Sequence, residues 1–132
     1  MRVARWSLVA VAVLFLAGCG QIRVQLTAKD NGLTFGMESG TEIDVTLSTS
    51  PSTGYHWWYD PEDLGGRPGT RVRLLEHWYV PPSGSRVGAA GKEIFRFRTE
   101  GKGTVGLRLR YIRGTASESH SGRRFGATID IG

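Results

Sequence analysis

The sequence predicts an all-β protein: about seven or eight short strands folded into two packed antiparallel sheets, preceded by an export signal. Three observations predict it. Apolar and polar residues alternate with a period of two through most of the chain beyond residue 21, which is the spacing of half-buried strands and not of helices. Clusters of Gly, Pro, Asn, Asp and Ser punctuate those runs at short intervals, where turns are required. No linker or internal repeat divides the chain, so the part after the signal is one domain.

At the N-terminus, Arg2 and Arg5 precede an uncharged run from Leu8 to Ala17. A bilayer span needs about 20 apolar residues, so this run is too short to cross one. It fits the apolar segment of a signal peptide. Its end, Leu16-Ala17-Gly18-Cys19, resembles the bacterial lipobox, in which small residues admit the signal peptidase and the cysteine thiol takes the lipid. Residues 1–18 are therefore expected to be a lipoprotein signal peptide, and Cys19 the lipidation site. Such proteins carry a diacylglyceryl group and often a further acyl chain such as palmitate, and several chains anchor durably where one does not. The expected location is outside the cytoplasm, tied by lipid to a bacterial membrane. Removing 18 of 132 residues leaves 114, enough to bury a core. Cys19 is the sole cysteine, so no intrachain disulfide supports residues 19–132.

The strands follow in order. Ile22, Val24 and Leu26 share one face of the first, and Ile43, Val45 and Leu47 one face of the second. Two more fall at 55–59 and 71–79; the latter loses strict alternation near Leu74-Leu75, where a bulge or twist is expected. Phe95 and Phe97 alternate with Arg96 and Arg98. Val105, Leu107, Leu109 and Tyr111 alternate with Gly106, Arg108 and Arg110, and Phe125, Ala127, Ile129 and Ile131 share a face of the last run. Turns are expected at Asp30–Gly32, Glu38–Gly40, Ser50–Gly54, Gly65-Gly66, Pro81–Gly84 and Gly101–Gly103. Strands of this number and length make an Ig-like sandwich, without the immunoglobulin cysteine pair.

Charge and side-chain chemistry exclude several functions. The formal charge of +5 falls to about +3 when Arg2 and Arg5 leave with the signal. Arg71, Arg73, Arg96, Arg98, Arg108 and Arg110 alternate with apolar residues, as the solvated faces of strands do, so no nucleic-acid partner is expected. His56, His77 and His120 have no metal-ligand spacing with another His, Cys or carboxylate. His120, in the polar stretch Ser117–Ser121, has no nucleophile-elbow motif to serve. No phosphate-cradling loop opens a helix. The chain is read as a non-enzyme with no cofactor and no metal.

Three loops carry a resemblance. Ser50-Pro51-Ser52-Thr53-Gly54-Tyr55 follows one strand and leads into an aromatic one. Pro51 fixes its own φ and restrains Ser50, and Gly54 can take the positive φ of a tight turn. This segment resembles the Asn-Pro-Thr-Thr-Gly-Tyr loop of chagasin-type inhibitors of papain-like cysteine proteases. Val87-Gly88-Ala89-Ala90-Gly91, leading to Glu93-Ile94-Phe95-Arg96-Phe97, is similar to the family's Gly-x-Gly-Gly loop, with Ala90 where that loop has glycine. Leu107 to Arg113 is similar to the strand before the family's Arg-Pro-Trp loop, but Gly114-Thr115 follows Arg113 in place of Pro-Trp. The order and spacing of the three fit, over most of residues 33–131.

The resemblance implies an Ig-like sandwich with the three loops at one end, entering the protease cleft as a reversible, non-covalent wedge. Ser52, Thr53 and Gly54 would form the tip, Gly88, Ala89, Ala90 and Gly91 one side, and Arg113 the other. The implied partner is a papain-family cysteine protease. The alternative is an envelope lipoprotein that uses the same fold as a non-inhibitory binding or scaffolding module.

Overall fold

The computed structural model describes residues 21–59, 61, 67–84, 88–115 and 120–132, with backbone alone at His120 and Ser121. The signal segment 1–18, Cys19, the Gly65-Gly66 turn, Val87 and residues 117–119 lie outside the described residues. Eight strands are present: β1 (Arg23–Thr27), β2 (Thr34–Met37), β3 (Glu42–Thr49), β4 (Tyr55–Tyr59), β5 (Arg71–Val80), β6 (Gly91–Glu100), β7 (Gly103–Arg113) and β8 (His120–Ile131). They form two four-stranded sheets, ordered β1-β3-β6-β5 and β2-β8-β7-β4. The all-β sandwich that the alternation predicts is the observed fold.

Pairing at two edges differs from a purely antiparallel sandwich. β1 runs parallel to β3 and β2 parallel to β8. The cause is the path of the chain. After β1 it crosses to the second sheet through residues 28–33, descends as β2, and returns to the first sheet to start β3 beside β1 in the same direction. β2 is the strand that the sequence does not announce: Thr34-Phe35-Gly36-Met37 has two apolar residues and a glycine, too short a pattern to stand out. The first strand begins at Arg23, and Ile22 is exposed.

Period-2 alternation places Ile43, Val45, Leu47, Phe95 and Phe97 of one sheet against Trp57, Leu107, Leu109, Phe125 and Ile129 of the other, all buried. Burying side chains of this size contributes about 1.5–3 kcal/mol each, and that burial must hold the domain without a disulfide. Leu75 is the expected bulge: the β5–β6 register shifts between Leu74 and Glu76. One extra residue reverses the phase of β5. Val72 is buried before it; after it, His77 stacks on the buried Phe95 at 4.0 Å between ring centroids, while Trp78 lies outside under the Arg96 guanidinium.

The outer face of the first sheet is not the bare solvated face that alternation suggests. Glu42 sits opposite Arg23 on one neighbour and Arg98 on the other, and Asp44 sits opposite Arg96. Arg23 reaches Glu42 at 2.7 Å, Arg98 reaches it at 3.1 Å, and Arg96 grips Asp44 with two bonds of 2.8 and 2.9 Å. The arginine stems cover both carboxylates, leaving Glu42 and Asp44 buried at 7% and 5% exposure. The guanidinium bonds hold both carboxyls below the usual range, against the opposing pull of burial.

This ladder sets the acid limb of stability. Because the folded Asp44 titrates lower than the unfolded one, the unfolded chain binds more protons in between. The stabilisation is complete above the ordinary aspartate value near 3.8 and is lost as pH falls through the folded value. Asp44→Asn is expected to cost about 1–3 kcal/mol near neutrality, the range for losing a charged hydrogen-bond partner, and to flatten the acid limb. Urea midpoints across pH measure both, and an unchanged acid limb would contradict the assignment.

Candidate functional site

Strand register brings three turns to one pole. Thr49 at the end of β3 pairs with Gly91 at the start of β6, and Val80 at the end of β5 pairs with Lys92. Tyr55 at the start of β4 pairs with Arg113 at the end of β7. The β3–β4, β5–β6 and β7–β8 connections are therefore neighbours.

The β3–β4 connection is a single 3-10 turn, Pro51–Thr53, closed by Gly54 at φ +82°. Thr53 secures it twice, through its backbone N–H to Ser50 O at 3.0 Å and its hydroxyl to the same oxygen at 2.6 Å. Gly54 N–H donates to Pro51 O at 2.9 Å. Ser52, Thr53 and Gly54 are all exposed, so the turn projects from the pole in a shape fixed by its own bonds. Such a turn loses little freedom when a partner binds.

Arg113 lies across this turn. Its Nε would be 3.2 Å from a Cβ placed on Gly54, so the residues expected to lie at the tip and on one flank are in direct contact. Gly54 is needed twice, for its φ and for the room it leaves to the guanidinium. On the other flank Gly88, with φ +84°, is exposed, as are Ala89 and Ala90. Gly91 is placed differently. It is buried, and a Cβ there would overlap the Tyr79 ring. The group that covers this position is Tyr79, 44% exposed. The sequence gives no signal for that, because β5 reaches this face through its bulge.

Beneath the turn lies an aromatic strut. Ser50 N–H donates to the Tyr111 hydroxyl at 3.0 Å. The Tyr111 ring stacks on Tyr55 at 5.4 Å and meets Trp57 at 5.0 Å, and the Arg123 guanidinium lies over both Tyr111 and Trp57. The Trp57 indole N–H donates to Ser48 O at 3.0 Å. Alternation puts Tyr55 and Trp57 on the core side and Trp58 outside, and they are found there, with Trp58 42% exposed.

Glu93 is the residue that sequence reasoning missed. It occupies an inward position of β6, between Gly91 and Phe95, and is 5% exposed. Its carboxylate crosses to the other sheet and accepts the Trp57 backbone N–H at 2.8 Å; it also receives the Thr49 hydroxyl at 3.5 Å. Thr49 and Trp57 flank the tip turn, so one carboxylate joins both of its roots to the strand that carries the second loop. Burial pushes the Glu93 carboxyl above the usual range, opposed by the Trp57 bond and by the nearby His77 and His56. A lone acid on the apolar face of a strand is the signal that could have found it.

The fold and these turns define a class: a sandwich without disulfides with an exposed, internally bonded turn and two further connections at the same pole. The chain belongs to the chagasin family. Residues 36–129, from β2 into β8 and including all three loops, match Chagasin family peptidase inhibitor I42, a family of protease inhibitors and not of enzymes. Chagasin of Trypanosoma cruzi is 30% identical over 104 residues, covering 76% of this chain and 91% of chagasin. A cysteine protease inhibitor from Entamoeba histolytica has a similar structure, with a TM-score of 0.63 at 20% identity, covering 85% of this chain and 97% of that one. Amebosin follows with a TM-score of 0.58 at 23% identity, over 86% and 100%. At these identities the two structures speak to the fold.

Three substitutions probe the supports. A carboxyl raised on folding keeps its proton where the unfolded chain has lost it, so stability falls as pH rises from the ordinary glutamate value near 4.5 through the raised one. Glu93→Gln retains an acceptor for Trp57 and should remove that decline, whereas Glu93→Ala strands the N–H and should cost about 1–3 kcal/mol. Thermal unfolding across pH separates them. Tyr111→Phe should cost about 1 kcal/mol through the lost Ser50 bond, and hydrogen exchange at Ser50 should rise while the Phe97 amide stays protected.

Proposed function

We propose that this protein is a membrane-tethered, reversible inhibitor of papain-family cysteine proteases. The observation that carries the inhibitory part is the contact of Arg113 with Gly54 at a pole where the other loop also ends. In this reading Ser52, Thr53 and Gly54 enter the active-site cleft as the tip. Gly88, Ala89 and Ala90 lie along one wall, Gly91 acts there through the Tyr79 ring above it, and Arg113 lies along the other wall. Binding occludes the catalytic cysteine and forms no bond to it. Family membership supports the class of activity; the lipobox-like Leu16–Cys19 supports the tether.

Gly114-Thr115 in place of Pro-Trp bears on strength. Loss of an interface tryptophan commonly costs about 2 kcal/mol or more, roughly thirtyfold in affinity. That same departure favours one alternative, a non-inhibitory binding or scaffolding lipoprotein on the same fold.

The test is a titration of residues 20–132 against papain and a cathepsin. Inhibition is expected at or below micromolar concentration, and its absence there would reject the inhibitor in favour of the alternative. Gly54→Ala, which strains φ and presses on Arg113, should weaken inhibition about tenfold or more, on the order of 1.4 kcal/mol. Arg108→Ala, on the outer face of the second sheet, should leave it unchanged.

A further inference from the structure

The N-terminus leaves the sandwich at the pole opposite the three turns. Arg23 pairs with Glu42 at the start of β3, while the tip turn follows Thr49 at its end. Gln21 donates its side-chain amide to Gly40 O, and Glu42 N–H donates to Ile22 O at 2.9 Å. The β2–β3 turn at Glu38–Gly40, the β6–β7 turn at Gly101-Lys102 and the Arg67–Gly69 turn before β5 share this far pole. Thr70 joins the last two through its hydroxyl to Lys102 O at 2.5 Å. Ile22, Arg67 and Lys102 are exposed there.

We infer that this far pole is the membrane-facing surface, and that the fold holds the tip turn away from the bilayer, toward a protease in the aqueous phase. The inference rests on the proposed lipid on Cys19. Gly20 alone separates Cys19 from Gln21, two chain steps with a reach of at most about 7 Å. The seven steps of β3 from Glu42 to Thr49 span about 23 Å, and the tip turn lies beyond them. The tether is therefore too short to let the domain invert, tip turn against the lipid and far pole uppermost, without peeling β1 from β3. Leu26, 1% exposed, and the 2.7 Å pair of Arg23 with Glu42 resist that. The far pole exposes the apolar Ile22 beside the attachment point and, on turns across the sheet from it, the cations Arg67 and Lys102, groups that suit the boundary between acyl chains and anionic headgroups. The partner this arrangement fits is a protease that is soluble or stands well clear of the surface.

The experiment uses the full chain, processed in a bacterial host and reconstituted in phosphatidylethanolamine–phosphatidylglycerol vesicles. After removal of Trp6 with the signal, Trp57, Trp58 and Trp78 remain, with Trp58 and Trp78 on opposite outer faces and all three toward the loop end. Headgroup spin-labelled lipids should leave tryptophan emission unquenched. Soluble papain should be inhibited as by the free domain, within about threefold, and a flexible Gly-Ser spacer between Gly20 and Gln21 should change nothing beyond that. A chain that stays out of the vesicles would overturn the tether itself. A vesicle-bound chain with quenched tryptophans, or one whose inhibition rises tenfold with the spacer, would overturn the orientation and leave the tether standing.

Discussion

Trp57 gives its backbone N–H to a carboxylate from the opposite sheet, and the geometry of the candidate site depends on that bond. β4 is an edge strand, so one side of it presents backbone groups that β7 cannot satisfy. A buried N–H without a partner is costly, and an open edge invites pairing with another chain. Glu93 answers both problems from inside the sandwich. Desolvation raises its own pKa, and the sheets accept that cost where the bond fixes the root of the tip turn. With the Tyr111 hydroxyl on Ser50 and the Glu93 carboxylate on Trp57, the turn hangs between two fixed points. Its internal bonds through Thr53 then determine the rest of its shape.

Charge has a structural job on the other side of the same sheet. Arginines at alternate strand positions can signal a polyanion partner, yet those at 23, 96 and 98 face acids across the strands. Strand register makes the pairs: it sets Asp44 against Arg96 and places Glu42 between Arg23 and Arg98. Arg96 also reaches Glu76 and covers Trp78, which lies outside because the Leu75 bulge reversed the phase of β5. One inserted residue thus sends Trp78 to the ladder and His77 and Tyr79 to the inner side. There Tyr79 closes over Gly91 and His77 covers Phe95.

The two poles carry different connections because of the chain's path. Strands alternate up and down, so every second connection falls at the same end. The upper end carries the tip turn, built on Pro51 and closed by Gly54, and the exposed Gly88. The lower end carries both termini of the domain: Arg23 starts there, and Gly132 N–H donates to Met37 O. Loops at one end can therefore vary in sequence while the other end keeps its form, since they share only the strands between them.

The sequence by itself determined the sandwich, most of the strands, the inner residues of each, the bulge and the residues of the three turns. Alternation and turn chemistry are local, and local spacing is enough to say which side of a strand is buried. It also supplied the lipobox-like segment, which lies outside the described residues. What depends on distant parts of the chain was left to tertiary structure. The parallel pairing at two edges follows from a crossover between sheets, and β2 has too few apolar residues to announce itself. Glu42 and Asp44 look solvated until register sets arginines beside them. Glu93 and the Arg113–Gly54 contact join residues 36 or more positions apart, and Tyr79 meets Gly91 only because of the bulge. Hydrogen bonds and close contacts between sheets are decided by how strands are ordered and phased in space, and no short stretch of sequence encodes that.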